Sequence, residues 1–216
     1  MTTPVNPFTI VQWRLAVAEL YAAVRNAPSN EALQAWEAFC QARNSLFKNH
    51  PDSPLSQQDR ARFGGLDYYP YNPGWRKVGL IDRKVERQKF KVDLGADGLL
   101  RYTRVGRVFF DVERKDVALS LYWIEGYGGG LFLPFLDQTS GLGTYGGGRY
   151  LYDTIKGADL GVQGTSMVID FNYAFNPSCA YNEHWICPLP QPENRLFVPI
   201  EAGEKAINQS IPQNRG

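Results

Sequence analysis

Residues 134–151 read PFLDQTSGLGTYGGGRYL. The stretch runs as a strand into a glycine-rich bend and out into a second strand, and the rest of the chain is arranged around it. Between Gly126 and Gly148, nine of twenty-three residues are glycine. Each glycine in a regular element costs about 0.5–1 kcal/mol relative to alanine, so a run this dense belongs where the backbone needs positive φ or close approach. The triplet Gly128-Gly129-Gly130 is expected to turn the chain ahead of a strand at 131–136. Gly146-Gly147-Gly148 is expected to do the same ahead of a strand at 149–152.

Upstream of Trp75 the apolar period is helical. Ile10, Trp13, Val17, Leu20, Tyr21 and Val24 recur at three- and four-residue steps and predict a helix over residues 9–25. A second helix, capped by Ser29 or Asn30, is expected to run to Asn49 with Leu33, Trp36, Phe39, Cys40, Leu46 and Phe47 as its buried stripe. The short connection predicts an antiparallel pair. His50-Pro51 ends the second helix, because proline disfavours the helical conformation in the preceding residue. His50 then reads as a C-terminal cap. Ser56 with Asp59 three residues on resembles a capping box with Asp in place of Glu. The aromatic segment 64–75, GGLDYYPYNPGW, marks the change from helix to sheet, and its rings suit either a ligand groove or packing between layers.

Beyond Trp75 the period becomes alternating. Strands are expected at 76–81, 88–93, 100–105, 108–113 and 117–124, with a tight turn at Arg114-Lys115-Asp116 and another at 95–98. The short connections require antiparallel pairing, since parallel crossovers need a dozen or more residues. A further strand is expected at 167–171 and a last one at 196–200, separated by a proline-rich stretch that reads as a covering loop. The tail from Asn208 is expected to be loose. The fold class is therefore α+β: N-terminal helices packed on a mainly antiparallel β-sandwich or partly open β-barrel. The whole chain, 1–216, is expected to be one domain, with a helical part at 8–63 and a β-rich part at 75–205.

Composition bounds the function. An apolar fraction of 44% and a charged fraction of 21% are those of a folded soluble protein. No apolar run approaches the roughly 18 residues of a transmembrane helix. Residues 1–7 lack the basic and apolar regions of a secretory leader, so a cytoplasmic protein with reduced cysteines is expected. Three cysteines, Cys40, Cys179 and Cys187, are too few for a disulfide framework. Residues 75–116 hold twelve Lys and Arg against seven acids, while 117–216 hold five against nine. That split is milder than a nucleic-acid surface requires, so neither nucleic acid nor membrane is an expected partner.

Several words along the chain resemble a known family. They are His50-Pro-Asp-Ser-Pro-Leu55 with Phe63-Gly-Gly-Leu66, Phe135-Leu-Asp-Gln-Thr-Ser-Gly141, Thr144-Tyr-Gly-Gly-Gly-Arg-Tyr-Leu151, Asp170-Phe-Asn172, Asn176-Pro-Ser-Cys-Ala180, Cys187-Pro-Leu-Pro190, Pro192-Glu-Asn-Arg-Leu196 and Ala202-Gly-Glu-Lys205. As a set, over roughly residues 36–205, this is similar to the prokaryotic family known as domain of unknown function 1684. The resemblance implies no reaction, cofactor or catalytic residue.

The familiar chemistries are mostly excluded by context. Gly141-Leu-Gly-Thr-Tyr-Gly146 matches the dinucleotide pattern by letter, but no helix can follow it at Gly147-Gly148-Arg149. No lysine of the P-loop type follows any glycine run. A triad of Ser140, His184 and Asp170 lacks the nucleophile elbow. Cys179, His184 and Cys187 supply three zinc-type ligands where closed structural sites want four, so Cys179 and Cys187 are expected as two buried, unpaired thiols, with a disulfide bridging the loop as the alternative. No cofactor and no metal are therefore expected.

What remains is a polar cluster. Asp137, Thr139, Ser140, Tyr145 and Arg149 come from the bend, Asp170 and Asn172 from the next strand, and Glu193 and Asn194 from the proline-rich loop. If the loop folds over the bend, these groups can bind a small polar or anionic molecule in a cleft there. The alternatives are a hydrolase using Asp170 or Glu193 as acid/base, a protein-interaction module using the aromatic N-terminal half, or a purely structural pairing of Arg149 with Asp170 or Glu193. The oligomeric state is left open.

Overall fold

The computed structural model describes residues 6–95 and 98–207. Helix α1 spans Pro7–Asn26; the Asn6 side chain caps it by accepting from the Phe8 N–H, and Pro7 fills the first position. Ahead of the second helix, Ser29–Glu31 form a single 3₁₀ turn, and α2 proper runs Ala32–Asn49, later than the cap residues suggested. Ring pairs Trp13–Phe47 and Tyr21–Phe39 show the two helices running antiparallel. His50 caps α2 through its backbone N–H to the Leu46 carbonyl. Helix α3, Gln57–Arg62, starts on the expected box: Ser56 Oγ accepts from Asp59 N and donates to the Asp59 carboxylate. The aromatic segment after it packs between layers, with Trp36 against Tyr68 and Tyr71, and Trp75 against Phe171.

Among the described residues eight strands follow: β1 Arg76–Asp82, β2 Lys89–Asp93, β3 Leu99–Val112, β4 Lys115–Ile124, β5 Gly130–Phe135, β6 Arg149–Asp153, β7 Val162–Gln163 and β8 Ser166–Asp170. All pairings between them are antiparallel, in the order β6-β5-β4-β3-β1-β8-β7, with β2 beside the first half of β3. The result is an antiparallel sheet curled into a half-barrel, packed against the N-terminal helices. Val17, Tyr21, Phe39 and Cys40 from the helices share one core with Val108, Phe110, Leu119, Leu121, Leu133 and Ile169 from the sheet. At roughly 25 cal/mol per Å² of apolar surface removed from water, that shared core is what holds helices to sheet.

Three sequence expectations need correction. The strands expected at 100–105 and 108–113 are one, β3, with a bulge at Arg104/Gly106 in place of a break. Gly106 is there for close approach, since a Cβ would lie 3.0 Å from the Asp82 carbonyl of β1. The strand expected at 196–200 does not form. Beside it lies one isolated parallel bridge, Leu136–Arg195; Leu196 N donates to the Leu136 carbonyl, the Val198 carbonyl accepts from Gln138 N, and the Ile200 N–H and carbonyl are taken by the Asp137 and Arg149 side chains. The β3–β4 turn is also shifted: Glu113 and Arg114 are the central pair, both at positive φ (52° and 63°), and Val112–Lys115 closes the ladder. The turn expected at 95–98 includes Ala96 and Asp97, which lie outside the described residues, as do residues 1–5 and the tail from Asn208. Among the described residues no helix is long and apolar enough to cross a membrane.

Candidate functional site

Arg149 opens β6 and its side chain is 1% exposed. Its Nη2 donates to Asp137 Oδ2 at 2.8 Å and to the Ile200 carbonyl at 2.9 Å. Nη1 donates to the carbonyls of Ala202 and Glu204, and the guanidinium carbon sits 5.2 Å from the Phe135 ring centroid. Burial pulls the Arg149 pKa down, with Asp137 pushing the other way. Asp137 in turn accepts through Oδ1 from Thr139 N, Thr139 Oγ1 and Ile200 N. Thr139 Oγ1 meets Thr144 Oγ1 at 2.9 Å, and Ser140 Oγ accepts from Asp137 N. Apart from Arg149 Nε, which has no hydrogen-bond partner, these bend groups satisfy one another, and together they hold the segment 200–204 without a ladder.

The other expected site residues fall into separate groups. Asp170 Oδ1 accepts from the backbone and side-chain nitrogens of Asn172, and Oδ2 lies 3.7 Å from Arg76. Burial raises the Asp170 pKa, opposed by Asn172 and Arg76. Asn172 also exchanges hydrogen bonds with the Asn72 backbone and takes the Trp36 indole N–H on its carbonyl, tying α2 to the end of β8. Glu193 accepts from Tyr122 Oη at 2.9 Å, with Arg104 at 3.5 Å. Asn194 is fully buried between β4 and β5: its amide donates to the Ser120 and Pro134 carbonyls and its Oδ1 accepts from Ser120 N. It replaces ladder bonds where those strands part. The hydrogen bonds and ion pairs of Arg149, Asp170 and Glu193 are thus made with three different sets of partners.

The loop does come down on the bend. A Cβ on Gly148 would stand 2.7 Å from Pro190 Cγ and 2.6 Å from the Phe135 carbonyl, and one on Gly147 would meet Tyr145 and Leu189. Tyr145 Oη donates to Cys179 Sγ at 3.6 Å. His184, in contrast, places its ring on Trp185 and its backbone N–H on Asn182 Oδ1. Among the described residues no group of three His, Cys, Asp or Glu side chains is gathered closely enough to hold a metal ion.

A second polar centre lies at the helix–sheet junction. Arg43, on the buried face of α2, donates to Glu204 Oε1 at 2.5 Å; both side chains are buried. Glu204 Oε2 accepts from Asn176 N at 2.8 Å and from Tyr181 Oη. Burial is the largest influence and works against the Arg43 charge, but Glu204 together with Tyr68, Tyr181 and Tyr21 outweighs it and raises the pKa. Beside this pair opens a cavity of about 380 Å³ lined by residues that include Asn44, Arg62, Gly64, Asn176, Glu204 and Lys205. Asn176 gives its amide nitrogen to the Lys205 carbonyl, while its buried Oδ1 has no hydrogen-bond partner. Arg62 is exposed at the end of α3 and makes no ion pair among the described residues. The bend braces this wall: Ala206 N donates to the Gly143 carbonyl, and Lys205 Nζ lies 4.8 Å from the Tyr69 ring centroid. Sequence reading missed Arg43, Asn176, Tyr181 and Glu204. The one signal was an arginine at position 43 inside the stripe formed by Phe39, Cys40, Leu46 and Phe47.

Fold and site define a helix-capped antiparallel half-barrel with two buried ionic centres, one under the glycine-rich bend and one beside a polar cavity. The chain belongs to the family described as "Protein of unknown function (DUF1684)", which matches residues 61–205. It is also similar to the solution NMR structure of an uncharacterised protein from Haloarcula marismortui, with 30% identity, a TM-score of 0.59, and coverage of 82% of this chain and 97% of that one. The comparison with curated proteins gives no match.

Proposed function

We propose that the protein binds a small anionic, hydroxyl- or amine-bearing molecule, and that it does so in the cavity between α3, the segment 63–67 and the C-terminal stretch around Glu204. The observation that carries this reading is Asn176, which lines a cavity of about 380 Å³ and whose buried Oδ1 has no hydrogen-bond partner. Buried polar atoms are almost always paired, so an acceptor left open beside a space of ligand size calls for a donor from outside the fold. Arg62 supplies an available cation at the same cavity. An anionic group on Arg62 and a donor on Asn176 Oδ1 make the simplest occupant. None of the nine residues expected at the bend lines this cavity. Among them Asp137 and Arg149 hold the backbone of residues 200–204, which places Glu204 on the cavity lining.

Native mass spectrometry of the purified chain, followed by thermal-shift and calorimetric titration with carboxylated and phosphorylated metabolites, tests this. Arg62→Ala is expected to weaken binding about 10- to 100-fold, the equivalent of one charge-assisted hydrogen bond. Gly64→Phe is the blocking variant: Gly64 lines the cavity, lacks positive φ, and a Cβ there meets nothing within 4 Å. A molecule that binds wild type and Gly64→Phe equally well would sink the assignment of the cavity.

A further inference from the structure

Cys179 and Cys187 are both partly exposed and both free, whereas Cys40 is buried in the core. Cys179 N donates to Cys187 Sγ at 3.3 Å, and Tyr145 Oη donates to Cys179 Sγ at 3.6 Å. The segment carrying Cys187 is fixed from below, because Tyr150 Oη donates to the Pro188 carbonyl at 2.6 Å and Pro190 rests against Gly148. Cys179 is fixed through the 3₁₀ turn Ser178–Ala180. The two sulfurs are thus held side by side on the bend, with a hydroxyl donor aimed at one of them.

The chemistry of the two sulfurs differs from that of a packed thiol. Burial pushes Cys40 up to about 12. Cys179 is lowered to about 6, first by the hydrogen bond from Cys187, then with burial opposing and Tyr145 helping. Cys187 is raised, chiefly by the thiol it serves. The titratable and charged groups around the pair are Tyr145 from the bend, Tyr150 from β6, Lys156 from the turn after it and Glu183 from the loop.

We propose that Cys179 and Cys187 form a two-electron dithiol–disulfide site that reacts with low-molecular-weight disulfides, Cys179 attacking and Cys187 resolving. In the first step the Cys179 thiolate forms a bond to one sulfur of the small disulfide, whose S–S bond breaks and releases one thiolate. In the second, the Cys187 sulfur, having lost its proton, attacks Cys179 Sγ; the protein S–S bond forms and the second small thiolate leaves. The protein dithiol is oxidised by two electrons, the small disulfide is reduced to two thiols, and the two protein protons end on those thiols. Excess small thiol reverses the sequence.

The full-length reduced protein, incubated with oxidised glutathione and mapped by mass spectrometry after alkylation, is expected to give an intrachain Cys179–Cys187 bond with Cys40 untouched. Cys187→Ser is expected to stop at a mixed disulfide on Cys179, and Cys179→Ser to give no comparably fast adduct on Cys187. Adduct formation on Cys187 in preference to Cys179, or no intrachain bond in protein that keeps its circular dichroism, overturns the proposal. Iodoacetamide alkylation of the wild type gives a second reading that needs no variant. Relative to a thiol of pKa 9.0, Cys179 at pH 6 gains about 500-fold in thiolate and loses roughly 20-fold in nucleophilicity, so it is expected to react roughly 20-fold faster. A Cys179 that reacts no faster than an ordinary thiol at pH 6 overturns the role of attacking thiolate. Tyr145→Phe is expected to move the half-point of that profile upward; an unmoved profile removes Tyr145 from the site.

Discussion

Replacing Arg149 by methionine, which keeps the length of the side chain and removes its donors, is expected to be among the most damaging single changes in this chain. The substitution leaves the Asp137 carboxylate buried without its cation, and removing one partner of a buried ion pair costs about 3–5 kcal/mol. It also strips donors from the carbonyls of Ile200, Ala202 and Glu204, each worth about 1–3 kcal/mol if left dry, part of which entering water recovers. A net loss of about 5 kcal/mol is a large share of the roughly 5–15 kcal/mol that holds a domain folded. For a chain of this size it corresponds to a fall in Tm of about 10–20 °C. Urea denaturation of wild type, Arg149→Met, Asp137→Asn and the double variant gives the cycle. Asp137→Asn keeps the Oδ1 acceptor used by Thr139 and Ile200 while removing the charge, so the double variant is expected to recover about 2–3 kcal/mol relative to the sum of the singles. A loss below about 1 kcal/mol for Arg149→Met, at unchanged m-value, refutes the view that this side chain holds the C-terminal segment.

Two further outcomes follow from the other buried polar groups. Asn194→Ala leaves Ser120 N, Ser120 O and Pro134 O without their partner and is expected to cost about 2–4 kcal/mol by chemical denaturation; a change under about 0.5 kcal/mol contradicts its role between β4 and β5. Asp170 has a folded-state pKa above its ordinary 3.8, so its contribution to stability is full below that value and is lost as pH rises through the folded value. Wild type should therefore lose stability relative to Asp170→Asn as pH climbs from about 4, and a difference that stays flat across that range contradicts the assignment. The cavity and dithiol readings are tested independently, since Gly64→Phe and Arg62→Ala leave Cys179 and Cys187 in place.

The helices, most strands and the class of fold were legible because they depend on local period. The stripe from Trp13 to Tyr21 faces one way whatever else the chain does, and the β-alternation after Trp75 needs no distant partner to be read. Residues 100–105 and 108–113 were expected as two strands because the glycine between them, Gly106, signals a bulge and a break equally; only the nearness of the Asp82 carbonyl separates them. The segment 196–200 was misread as a strand because its composition suits one, while its Ile200 backbone groups are claimed by Asp137 and Arg149.

The sequence by itself determined an α+β chain with a glycine-rich bend, a proline-rich loop and a cluster of polar residues that suited binding, catalysis or structural pairing alike. Only the tertiary structure decided what those residues do. Arg149 and Asp137 neutralise each other in the interior, Asp170 joins Asn172 and Arg76, and Glu193 joins Tyr122 and Arg104. The open acceptor at Asn176 and the paired thiols of Cys179 and Cys187 came forward only in three dimensions. The physical reason is range. Propensity and period act over a few residues, whereas a buried charge is stable only beside the partner that desolvation leaves it, and that partner stands here up to 161 positions away, as Glu204 does from Arg43.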